Sequence, residues 1–121
     1  MSKTVMIIDD SKTLRHMVNV TLNSAGYETV DAVDGLDALE KLSGPRVNLI
    51  ICDINMPNMD GLTFLREIKK SKEHRAIPVI MLTTESQSER IQAGKEAGAK
   101  AWIVKPFKPE QVLSAIEKLI K

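Results

Sequence analysis

The 121-residue sequence is poor in several things, and each shortage removes a class of function. A single cysteine, Cys52, excludes an internal disulfide and a cysteine-rich metal site, and fits a reducing, cytoplasmic compartment. The only aromatic residues are Tyr27, Phe64, Trp102 and Phe107, too few for the stacking platforms that hold single-stranded nucleic acid. Basic and acidic side chains number 17 and 16, and a net charge of +1 gives no field to bind nucleic acid or an anionic membrane. No apolar run approaches the ~20 residues of a membrane span, and the N-terminal MSKTVMIIDD offers only four apolar residues in a row. A G-x-x-x-x-G-K-[ST] nucleotide loop is also missing. What remains is 43% hydrophobic and 27% charged, the balance of a soluble globular chain, with a length of about one domain at roughly 150 residues each.

What is present alternates. Four nearly continuous apolar runs, Val5 to Ile8, Leu49 to Cys52, Val79 to Leu82 and Ala101 to Val104, read as strands covered on both faces. A mixed fifth run, Glu28 to Ala32, reads as an edge strand. Between them lie helical stripes: Leu14, Val18, Leu22 and Ala25; Leu36, Leu39 and Leu42; Leu62, Leu65 and Ile68; Ile91, Gly94 and Ala97; Val112, Leu113, Ile116, Leu119 and Ile120. Ser11 is placed to cap the first helix, Gly26 and Gly98 to end the first and fourth, and Pro109 to open the fifth. Residues 43–46 and 71–76 are expected loops. Five strand-then-helix units predict an α/β, doubly wound parallel sheet with helices on both faces, residues 1–121 forming one domain.

In such a sheet, ligands gather outside the carboxyl ends of the strands. Those ends carry Asp9 and Asp10, then Asp53, then Thr83 and Thr84, then Lys105 and Pro106. Two unit charges ~4 Å apart at an effective dielectric near 20 repel by about 4 kcal/mol, so three carboxylates on one rim call for a cation. An all-oxygen donor set suits Mg²⁺, which needs few carboxylates and keeps waters that a phosphate can replace. An aspartate held beside Mg²⁺ and Lys105 is arranged to attack a phosphoryl group, and the Thr83 hydroxyl could donate to the added phosphate.

The ordered set Asp9-Asp10, Asp53 with Ile54-Asn55-Met56-Pro57-Asn58-Met59-Asp60-Gly61, Thr83, and Lys105-Pro106-Phe107 resembles the receiver domain of bacterial response regulators, in its stand-alone, CheY-type chemotaxis form. The resemblance spans essentially the whole chain. It implies the flavodoxin-like (CheY-like) strand order 2-1-3-4-5 flanked by five helices. It further implies Asp53 as phosphoacceptor, with Mg²⁺ held by Asp9, Asp10, Asp53 and the Asn55 backbone carbonyl. Lys105 would pair with the phosphate and precede a cis bond to Pro106, Thr83 and Trp102 would form a coupled switch, and Asn55 and Glu85 would tune dephosphorylation. Implied partners are a CheA-like histidine kinase as donor, a flagellar motor switch protein or other target on the face formed by helix four, strand five and helix five, and a phosphatase. The protein is expected to be a monomer without nucleic-acid or membrane partners.

Two departures from the family pattern stand out: Trp102 replaces the tyrosine of the best-known chemotaxis members, and residues 85–90 lack the paired lysines that enteric members present to the motor.

Other readings compete. A phosphorelay intermediate or phosphate sink would share every one of these residues. A haloacid-dehalogenase-like phosphatase needs a second aspartate two residues after the first, where Asn55 stands, and a flavodoxin-like electron carrier would have its flavin phosphate repelled by Asp9 and Asp10. Singly, Asp10 could cap a helix, Asn58 to Gly61 could be a turn that uses the backbone freedom of Gly61, and Trp102 could be core packing. Cys52 is expected in the core, on the opposite strand face from Asp53, and His16 and His74 carry no ligand pattern. The near-zero net charge conceals a division: residues 1–60 hold 5 basic and 9 acidic side chains and all seven aspartates, whereas residues 61–121 hold 12 and 7.

Overall fold

The apolar runs become strands because each can bury both faces, and the intervening stripes become helices because each has one face to bury. The computed structural model describes residues 3–84 and 88–120. In order, these form β1 (Thr4–Ile8), α1 (Lys12–Ser24), β2 (Glu28–Ala32), α2 (Gly35–Lys41), β3 (Leu49–Asp53), α3 (Gly61–Lys69), β4 (Val79–Thr84), α4 (Ser88–Ala97), β5 (Ala101–Lys105) and α5 (Pro109–Leu119). The five strands make one parallel sheet in the order β2-β1-β3-β4-β5, as expected.

Strand alternation sorts the core into two layers. Val5, Ile7, Leu49, Ile51, Ile80, Leu82 and Ile103 pack with Val18 and Leu22 of α1 and Val112 and Ile116 of α5. Met6, Ile8, Ile50, Cys52, Val79 and Met81 pack on the other face with Ala38 of α2 and Leu62, Phe64, Leu65 and Ile68 of α3. Cys52 is thus buried in the α2–α3 layer, as its place in the strand predicts.

The punctuation works through specific bonds. Ser11 Oγ accepts from Leu14 N at 3.2 Å, and Gly26 and Gly98, at φ 95° and 105°, turn the chain out of α1 and α4. Pro109 opens α5.

Three expectations change. Ala25 and Leu36 face solvent: α2 buries Gly35 and Ala38, while Leu42 of the expected stripe is buried at its C-cap and Leu39 is partly buried against the same layer, so of that stripe only Leu36 departs. The end of β5 is not covered on both faces, because β5 is a sheet edge and Val104 lies 41% exposed. Thr83, Thr84 and Lys105 are the last strand residues rather than the first loop residues.

Phe64, fully buried and absent from the periodic stripe, is the largest side chain of the core. Truncating Phe64→Ala should cost about 3–5 kcal/mol in urea unfolding. Leu36→Ala should stay within about 0.5 kcal/mol of wild type, and a comparable loss at both positions would contradict the assigned face of α2.

Candidate functional site

Parallel pairing puts the carboxyl ends of β1, β3, β4 and β5 along one rim, and there the polar residues that strand interiors exclude come together. Asp9, Asp53 and Thr83 are buried, and Asp10 is exposed. One carboxylate oxygen from each of Asp9, Asp10 and Asp53 lies within 4.8 Å of the others. Asp10 also lines a shallow cavity of about 410 Å³ with Asn55, Met56 and Asp60. Ser11, not Asp10, provides the cap of α1, so the Asp10 carboxylate has no capping role.

Lys105 answers this negative charge from β5. Its Nζ lies 3.2 Å from Asp53 Oδ1 and 3.3 Å from Asp9 Oδ2. Asp9 is oriented further by Ser11, whose backbone N–H donates to Oδ1 at 2.8 Å. The Lys105–Pro106 peptide bond is cis.

Burial raises the Asp53 carboxyl above the ordinary carboxylate range, and the charge of Asp9 adds to this while Lys105 offsets part of it. Burial acts on Lys105 in the opposite sense, lowering it, but Asp53 and Asp9 outweigh that effect and leave the ammonium above its usual value. Thr83, under 2% exposed, directs Oγ1 to the Thr84 carbonyl at 3.3 Å. Trp102 is partly buried against the α2–α3 layer, and its Nε1 is buried without a hydrogen-bond partner among the described residues. Glu85 lies outside the described residues.

Several further residues support the site. Arg15 reaches back from α1, donating from Nη1 to the Asp9 carbonyl at 2.6 Å and from Nε to Asp31 Oδ2 at 3.1 Å. Asn58 donates to Asp34 Oδ2 at 2.7 Å, joining the loop after β3 to the cap of α2 and holding the Asp34 carboxyl below its usual range together with the Asp37 N–H, the larger of the two effects. Asp60 caps α3 through Thr63 N at 2.8 Å. Asn58 and Asp60 lie in the turn expected over Asn58 to Gly61, and Asp34 is a helix-cap type visible in the sequence, whereas the contact between Arg15 and Asp9 has no local signal. The turn before α3 also differs from expectation. The left-handed residue is Asn58, at φ 65°, and Gly61 is needed because a Cβ there would overlap the carbonyl oxygen of Asp53.

Comparison with known proteins agrees with this geometry. The family model described as "Response regulator receiver domain" matches residues 5–117. Protein PilG of Pseudomonas aeruginosa is 37% identical over 113 residues, covering 93% of this chain and 84% of PilG. Chemotaxis protein CheY1 of Helicobacter pylori is 35% identical over 118 residues, covering 96% and 95% of the two chains. The solved structure of Vibrio cholerae chemotaxis protein CheY4 superposes with a TM-score of 0.93 at 41% identity, covering 99% of this chain and 100% of that one. The chain belongs to the response regulator receiver domain family, whose CheY-like members are signalling proteins rather than classical enzymes. Among the described residues, no helix is long and apolar enough to cross a membrane.

The raised Asp53 carboxyl has a pH signature. Because its folded value exceeds its unfolded one, its contribution to stability is present below the unfolded value and is lost as pH rises through the folded value. Asp53→Asn should therefore raise the Tm of the metal-free protein at pH 7, with the gain shrinking as pH falls toward about 4. A gain that grows on acidification would contradict the assignment.

Proposed function

We propose that the chain is a single receiver domain over residues 1–121 that accepts a phosphoryl group on Asp53 and thereby switches a binding face. The observation that carries this reading is Lys105 Nζ set between Asp53 and Asp9 on a rim that also holds Asp10 and Thr83. Receiver domains typically bind Mg²⁺, and the all-oxygen donors here fit it: the carboxylates of Asp9, Asp10 and Asp53, with Asn55, which lines the cavity beside Asp10, as the source of a backbone carbonyl. Bound there, Mg²⁺ would neutralise charge developing on the transferring phosphoryl oxygens.

The chain's own residues do the rest. Lys105 engages Asp53 Oδ1, leaving Oδ2 to form the new P–O bond as the P–N bond of a donor phosphohistidine breaks and its electron pair leaves on the imidazole nitrogen. Lys105 then has a phosphate oxygen to pair with. The added group carries about −1.5 to −2 of charge, and the Thr83 hydroxyl can turn from the Thr84 carbonyl to donate to it. Movement of Thr83 on β4 would act through Trp102 on the adjoining β5 and couple the site to the face formed by α4, β5 and α5. Glu85 and Asn55 would set the lifetime of the phosphate.

A CheA-like histidine kinase is the proposed donor, and the similarity to CheY1 and CheY4 supports a target in chemotaxis or motility, such as a flagellar motor switch protein. Asn55 disfavours the phosphatase reading, since no acid stands two residues beyond Asp53.

Incubation with acetyl phosphate and Mg²⁺ should add one phosphate, read by intact mass, and Asp53→Asn should add none. Equal labelling of the variant would refute the assignment. Asp10→Asn should raise the metal-free Tm by relieving carboxylate repulsion while weakening Mg²⁺ binding in calorimetry. Unchanged melting together with unchanged affinity would remove the metal site.

A further inference from the structure

Gly94 is a buried residue in the middle of α4, although glycine is a poor choice for a helix interior and needs a reason there. The reason is Trp102. A Cβ built on Gly94 would overlap Cζ2 and Cη2 of the indole ring, so the ring occupies the space that any side chain at position 94 would need. Ala93, Ala97 and Ala99 pack against the same core layer as the ring, so its neighbours along this stretch are small as well.

The indole gains packing here but leaves Nε1 buried without a hydrogen-bond partner among the described residues. An outward ring would regain water at that nitrogen. The inward position is thus held by shape rather than by a polar bond.

From this we infer that Gly94 is the positioning residue for Trp102: the missing side chain is the socket that keeps the ring inside, and ring and side chain exclude each other. Position 94 then sets the balance between inward and outward ring, and with it the shape of the surface that α4 and β5 present. The inference deepens the switch reading given above, but the socket itself can be tested without phosphorylation.

Trp102 is the only tryptophan, so its fluorescence reports this ring alone. In Gly94→Ala, without phosphodonor, emission should move to longer wavelength and acrylamide quenching should increase. Alanine is otherwise the better helix former, so the same substitution should lower Tm with Trp102 present and raise it in a Trp102→Val background. Unchanged emission and quenching, or a Tm change of the same sign in both backgrounds, would overturn the socket. Should Gly94→Ala fail to fold, recovery of folding in Gly94→Ala, Trp102→Val supports the socket and failure to recover overturns it. A wild-type emission indifferent to beryllofluoride and Mg²⁺, alongside a shifted Gly94→Ala emission, would support the socket while refuting the coupling of Trp102 to Asp53.

Discussion

The ammonium of Lys105 between the carboxylates of Asp9 and Asp53 is the contact on which the organisation of this molecule depends. Lysine and Asp9 are 96 residues apart in sequence, and they meet because β1 and β3 lie in mid-sheet while β4 carries β5 alongside. Without a cation at that point, two buried carboxylates would face each other in a medium that screens them weakly. The two raised values have opposite causes: at Asp53 burial and the charge of Asp9 outweigh Lys105 and disfavour the carboxylate, whereas at Lys105 Asp53 and Asp9 outweigh burial and favour the ammonium.

Around this contact the loops act as a frame. Arg15 fixes the Asp9 carbonyl and Asp31 from α1, Ser11 orients the Asp9 side chain, and Asn58 joins the loop after β3 to the cap of α2. Gly61 lets α3 begin against the carbonyl of Asp53. Each of these is a short polar bond or a close approach at the end of a strand, where backbone groups leave the sheet ladder and need partners. The site can therefore carry concentrated charge without disturbing the apolar layers beneath it.

Toward β5 the frame loosens. β5 is a sheet edge, Val104 is exposed, and Trp102 occupies its place against Gly94 with an unpartnered Nε1. The acidic end is thus held by short polar bonds, whereas the aromatic on the neighbouring edge strand is held by shape.

The sequence by itself determined the five strands, their alternation with helices, the cap at Ser11 and the opening of α5 at Pro109, and the gathering of Asp9, Asp10, Asp53, Thr83 and Lys105 at strand ends. Those features follow from periodicity and from the rule that polar residues cannot sit inside a covered strand, both of which are local. The tertiary structure decided which helix faces turn inward, placing Ala38 rather than Leu36 in the core, and that the apolar β5 joins the polar β2 as an edge. It also decided that Arg15 reaches Asp9, that Asn58 rather than Gly61 takes the left-handed turn, and that Gly94 makes room for Trp102. These are contacts between segments distant in the chain or choices among near-equal local conformations, and only packing selects between them.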